Sequence, residues 1–299
     1  MIIKIFTCFQ KSQILVITYT EKVIKKNSED LMYCKHYGFA KKPFNITPEP
    51  EFLYMTSGHR EALATLLYGI REGRGIIAMV GDVGTGKTTL LRAAMQRLDK
   101  KTKAAFIFNS DMAFKDVLLL ILDELGLLKP LEVLTKMEAL KRLTKYAIHL
   151  YKKGGNLVLI MDEAQNFSRE TLEGIRIISY LETNKHKLIQ IVIAGQTELD
   201  HILKNYGLRR FVQRLSLKRY INPLSDNDIY AYLDHRLKVA KYNGPELFDR
   251  KAKQMIVAHS QGVPRKINVI CDNALLSGYG AGKRKIMGRD IEEVVKNLS

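Results

Sequence analysis

Residues 81–89 read GDVGTGKTT, with the apolar run GIIAMV (75–80) directly before them and TTLLRAAMQRL running on from Thr88. From Gly81 to Thr88 the pattern is G-x-x-x-x-G-K-[ST], set between a short buried strand and an amphipathic helix, the context that this phosphate-binding loop requires. Composition explains the chemistry. Gly81, Gly84 and Gly86 let the backbone curl towards an anion without a side chain in the way. The loop from Asp82 through Val83 and Thr85 to Thr89 then offers its amides to phosphate oxygens, and the helix beginning near Lys87 turns its positive end towards them. Lys87 adds a charge for the outer phosphates, and the Thr88 hydroxyl is a ligand for Mg²⁺. A nucleoside triphosphate such as ATP, with Mg²⁺, is the expected occupant.

Working outward, the chain alternates strands and helices. The spacing predicts a helix over 59–73 with Leu63, Leu66, Leu67 and Ile70 on one face. It then predicts strands at 75–80, 104–109, 156–161, 189–195 and 215–220, with helices between them that include 113–126 and 131–153. This order implies a parallel sheet sandwiched by helices. The strand NLVLIM (156–161) delivers Asp162 and Glu163 to the carboxyl edge of the sheet, where ligands bind in open α/β folds. Asp162 is placed to hold the Mg²⁺, and Glu163 to orient and polarise an attacking water. After Pro223 the strand signal stops, and helical patterns separated by glycines predict a small all-helical domain over 221–299. The division expected is 1–31 as an extension, 32–58 as an aromatic and proline-rich lead-in, 59–220 as the core and 221–299 as the lid.

Composition narrows the class further. The chain has 299 residues, 46% of them hydrophobic, enough for a large core, so a disordered or fibrous protein is excluded. No window approaches the ~20 apolar residues that a membrane-spanning helix needs. Three cysteines (Cys8, Cys34, Cys271) form neither a disulfide framework nor a metal cluster, which fits a cytoplasmic protein. The net charge is +17, and residues 32–220 alone hold 30 basic and 19 acidic side chains, which suggests nucleic acid, acidic lipid or an acidic partner. In the first 31 residues, Gln10 to Gln13 interrupt the apolar stretch that a signal peptide needs. They read as an upstream extension, with the native start at Met32. A native chain found by mass spectrometry to begin at Met1 contradicts that reading.

With a strand between the phosphate loop and Asp162-Glu163, and a helical C-terminal domain, these residues resemble the AAA+ family of P-loop ATPases. The resemblance implies further site residues. Gln196, after the fourth strand, stands at the polar sensor-1 position, and Asn109, ending the second strand, where a polar residue restrains the catalytic glutamate. GVPRKIN (262–268) is similar to sensor 2, with Arg265 reaching the γ-phosphate. YGLRRFVQRLSLKRY (206–220) resembles the stretch carrying an arginine finger. Arg214 matches its position best, with Arg209 and Arg210 as alternatives. A finger acts in trans and so implies a homo-oligomer, a ring or filament. Within the family, YGFAKKPFNITPEPEFLYMTSGHREALATLLYGIREGRG (37–75), AGQTEL and the lid sequence are similar to the ATPase unit of general secretion pathway protein A-type ATPases, from Met32 to Ser299.

That resemblance implies an Mg²⁺-dependent ATPase driving assembly or remodelling in a secretion or pilus-type pathway, cytoplasmic or peripheral at the inner membrane. The alternative is a DNA-binding ATP switch of the transposition-regulator or loader kind. Lys100, Lys101, Lys103, Lys141, Arg142, Lys145, Lys152 and Lys153 would then form the basic surface.

Overall fold

The computed structural model describes residues 32–108, 112–183, 186–204 and 206–298. At its centre β1 (Ile76–Gly81) is buried along its whole length, as is β4 (Ile189–Gly195), and β3 (Asn156–Met161) is buried from its second residue on. Such apolar runs suit strands covered on both faces. With β2 (Thr102–Ile107) and β5 (Leu215–Ile221) they form one parallel sheet in the order β2-β3-β4-β1-β5. β4 thus lies between the strand that leads into the glycine-rich loop and the strand that leads into Asp162, while β2 takes an edge.

Alternation along β1 assigns the two faces. Ile77 and Met79 pack with Leu63, Leu66 and Ile70 of α2 (Ser57–Arg71) and with Leu90 and Leu91 of α3 (Lys87–Met95). Ile76, Ala78 and Val80 face the opposite layer, built from α4 (Phe114–Glu124), α5 (Lys136–Lys152), α6 (Arg169–Ile178) and α7 (Thr197–Lys204). The remainder is helical: α9 (Asp226–Val239), α10 (Arg250–Ser260), α11 (Pro264–Gly280) and α12 (Gly288–Leu298), with the short α8 (Arg209–Val212) preceding β5. Its core takes in chain from far upstream. Tyr33, Cys34 and Tyr37 of α1 (Met32–Tyr37) and Phe39, Phe44 and Phe52 are buried among Ile229, Phe248, Ile267 and Leu275.

Several element bounds differ from the sequence-based expectation, α2 lying two residues earlier than predicted among them. The helix predicted from residue 131 begins at Lys136, because Thr135 and Glu138 form a reciprocal capping box there: Thr135 Oγ1 accepts the Glu138 N–H at 3.3 Å and Glu138 Oε2 accepts the Thr135 N–H at 2.8 Å. Leu131 lies outside it with φ 61°, a left-handed conformation that starts no helix. The second strand lies two residues earlier than predicted, since Asp99 closes a turn by accepting the N–H groups of Lys101 and Thr102. Asn109 and the extension 1–31 lie outside the described residues. Among the described residues no helix is long and apolar enough to cross a membrane.

Candidate nucleotide site

Three strand ends build the site at the carboxyl edge of the sheet. β1 ends at Gly81 and opens the loop to Lys87; β4 pairs with it up to Val80 and Gly195, and β3 stops one step away at Met161. The loop's shape depends on glycine at two places. Gly86 caps α3 with φ 100°. At Gly84, φ 79°, a Cβ would stand 2.6 Å from the Cβ of Arg265, so only a hydrogen there lets α11 close onto the loop. The Arg265 N–H then donates to Gly84 O at 3.2 Å. Arg265 itself is exposed at the start of α11, after Pro264 at its first position, and lines the same cleft.

Inside the loop, Lys87 Nζ donates to Gly81 O at 2.7 Å and Asp82 O at 2.9 Å, and Thr85 Oγ1 donates to Asp82 O at 2.8 Å. Lys87 is buried, which lowers its pKa, while Glu163, Asp162 and Asp82 pull it back up. Thr88 Oγ1 donates to Asp162 Oδ2 at 2.5 Å, so the hydroxyl and the carboxylate converge on one point. Burial pushes the Asp162 carboxyl up, against the Thr88 hydroxyl and the Glu163 amide, which donates to Asp162 Oδ1 at 3.0 Å. The same pair suits Mg²⁺, a hard cation that takes few protein oxygens and shares the rest of its shell with phosphates. The described residues hold no group of three or more His, Cys, Asp or Glu that could hold a metal ion.

Glu163 follows in the left-handed region, φ 55°, a conformation uncommon for a residue with a side chain and frequent at functional sites. Its Oε2 accepts Gln196 Nε2 at 2.9 Å and Gln165 Nε2 at 2.6 Å. The structure therefore lines one cleft with Val83 to Thr89, Glu163 and Arg265. Asp162 is joined to it through Thr88 and Gln196 through Glu163, with Gly81 and Asp82 holding Lys87 from the base of the loop. Arg214 is elsewhere. It precedes β5, whose Leu215 pairs with Ile76 at the far end of β1. One strand length, about 20 Å, separates it from its own loop. Its guanidinium lies 3.9 Å from the ring centroid of Tyr180, while Arg209 and Arg210 are exposed on α8.

Several residues of the site were not singled out from the sequence. Asn45 to Glu49, Leu53 and Tyr54 line the cleft opposite the loop, together with Leu224 and Asn268. Arg236 of α9 is buried between the rings of Phe52 and Tyr232, and it donates to the carbonyls of Pro43 and Asn45, fixing that wall to the helical remainder. Below the loop, His59 is buried, which lowers its pKa and leaves a neutral ring. A carbonyl only accepts, so the 3.3 Å contact to Thr85 O assigns the proton to Nε2, and Nδ1 accepts the Thr56 hydroxyl at 2.7 Å. Gln165 had a signal in the sequence, a second polar group two residues past Glu163. The lead-in wall had none, because contacts between distant segments leave no local periodicity.

The chain is similar to known proteins over most of its length. Residues 70–203 match the profile of the AAA domain. General secretion pathway protein A of Aeromonas hydrophila is 39% identical over 269 residues, covering 90% of this chain and 49% of that protein, so the chain spans about half the length of this relative. Among solved structures, the ORC2 protein of Aeropyrum pernix in its ADPNP–ADP complexes has a TM-score of 0.65 at 18% identity, covering 86% of this chain and 71% of the other. The ORC1 protein of Aeropyrum pernix in complex with DNA also scores 0.65, at 16% identity, covering 86% and 69%. At these identities the two structures speak for the fold alone.

Proposed function

We propose that the chain, whose residues 70–203 match the AAA domain, is an AAA-type ATPase that hydrolyses ATP with Mg²⁺ to drive assembly or remodelling in a secretion or pilus-type pathway. The observation that carries the hydrolytic reading is the convergence of Thr88, Asp162, Glu163 and Gln196 on the mouth of the loop. The loop amides and Lys87 hold the phosphates. Thr88 and Asp162 hold Mg²⁺, which when bound neutralises phosphate charge. Glu163 orients the attacking water and accepts its proton, Gln196 steadies the terminal phosphate, and Arg265 reaches it from the lid. Asn109 is the further polar group expected beside Glu163.

In this reading residues 59–220 are the catalytic core and 221–299 the lid, and the lead-in 32–58 moves with the lid, which the burial of Phe44 and Phe52 in the helical core supports. The distance of Arg214 from its own loop supports a role in a neighbouring subunit, hence a ring or filament, with Arg209 and Arg210 as alternatives. The secretion assignment rests on the Aeromonas relative, and the proposed place in the cytoplasm or at the inner membrane face is an extension of that assignment. Phosphate release from ATP, measured with and without Mg²⁺, tests the proposal. Lys87→Ala is expected to lose ATP binding together with release, and a wild-type protein with no Mg²⁺-dependent release contradicts it.

One observation favours the second reading, a DNA-binding ATP switch. Lys101, Lys103, Lys152 and Lys153 are exposed where edge strand β2 begins and α5 ends, with Lys100 beside them. Arg142, by contrast, is paired with Glu132. DNA binding that weakens steeply with salt and depends on ATP selects this reading, and salt-insensitive or absent binding selects the first.

A further inference from the structure

Gln165 lies in the single 3-10 turn Ala164–Asn166 that follows Glu163. Its amide spans two strand ends. Nε2 donates to Glu163 Oε2 at 2.6 Å, and Oε1 accepts the main-chain N–H of Gln196 at 3.0 Å. The Gln196 side chain returns to the same carboxylate oxygen at 2.9 Å, closing a ring through Glu163, Gln165 and Gln196. Gly195 keeps the room for it: a Cβ there would stand 2.9 Å from Gln165 Oε1 and 2.8 Å from Leu199 Cδ2. The end of β4 is thus shaped to receive the Gln165 amide.

We infer that Gln165 is a positioning residue for hydrolysis, holding the Glu163 carboxylate in register with the end of β4 through its two-ended amide. The inference rests on the reading of Glu163 as the residue that orients the attacking water. Glu163 has three side-chain torsions and only partial burial, so packing alone does not fix its carboxylate. A general base acts only from a narrow range of positions, and its supporting hydrogen bonds decide whether it stays there. Gln196 stands at a different strand end and is the group expected to serve a phosphate oxygen. Gln165 sits on the same turn as Glu163 and stays with it when Gln196 is engaged. The carboxylate keeps one amide donor throughout.

A mutant cycle separates positioning from a merely structural role. Gln165→Ala is expected to lower kcat about tenfold, the order set by one hydrogen bond to a charged group, with the Kd for ATP changed by less than about twofold. In the Glu163→Gln background the same substitution is expected to leave the residual turnover within about twofold, since its effect passes through the carboxylate. An equal fall in both backgrounds, or a loss of ATP affinity that accounts for the lower rate, overturns the inference alone. Gln165→Glu keeps the side-chain length and the acceptor for Gln196 while replacing the donor by a second carboxylate. It is expected to lower kcat at least as far as the alanine, and a wild-type rate in it overturns the inference. Wild-type turnover in Glu163→Gln by itself overturns the reading of Glu163, and the inference with it.

Discussion

Burial pushes the Asp162 carboxyl above the usual carboxylate range, and the Thr88 hydroxyl and the Glu163 amide only partly offset it. The consequence for stability has a definite sign. Between the unfolded value and the raised folded value, the folded protein keeps a proton that the unfolded chain has released, so stability falls as pH rises through that window. Asparagine has nothing to ionise. Without nucleotide, the melting temperature of Asp162→Asn minus that of the wild type is therefore expected to grow more positive from about pH 4 to about pH 8. The asparagine oxygen still accepts the Glu163 N–H, and because the same two proteins are compared at every pH, any pH-independent change in contacts cancels. A difference that stays constant with pH contradicts the account of Asp162. The same burial gives the site a use for a cation: Mg²⁺, were it bound at Thr88 and Asp162, would relieve the conflict that burial creates.

At the scale of elements, the site is a junction between the ends of β1, β3 and β4 and a wall brought from the helical remainder. Arg236 is the fastener of that wall. Its loss leaves the Pro43 carbonyl without this donor and opens space between Phe52 and Tyr232. Arg236→Ala is expected to cost on the order of 3 kcal/mol in denaturant unfolding, and to weaken ATP binding because Asn45 to Tyr54 form one side of the cleft. Unchanged stability together with unchanged affinity contradicts the fastening role. The elements also show what the sequence could reveal. β3 was legible because five apolar residues end abruptly in Asp162-Glu163, and β1 because the glycine pattern fixes its end. The start of α5 was misjudged because Leu131 and Leu134 continue the helical spacing, whereas the decisive signal was Thr135 with Glu138 three residues on. That the aromatics between Tyr33 and Phe52 enter a core some two hundred residues later is a long-range packing choice, which periodicity does not record.

At the scale of the whole molecule, the candidate nucleotide site lies between the sheet and the helical remainder, and Arg214 lies at the opposite edge of the sheet, stacked on Tyr180. If Arg214 serves a neighbour, Arg214→Ala is expected to cut turnover far more than ATP affinity; arginine fingers supplied in trans are worth ~10³–10⁵ in GTPases. Mixing Arg214→Ala with Glu163→Gln is then expected to restore activity, because one subunit's arginine meets the other's glutamate, and the restored rate rises with protein concentration. No rescue at any concentration removes the shared site and leaves the hydrolytic core untouched. That core is the central claim, and turnover of Glu163→Gln at saturating Mg²⁺-ATP, with ATP binding measured on the same protein, tests it most directly. The account predicts a Kd within about threefold of wild type and a turnover lower by about a hundredfold or more. Turnover at the wild-type rate in a variant that binds ATP normally would contradict it.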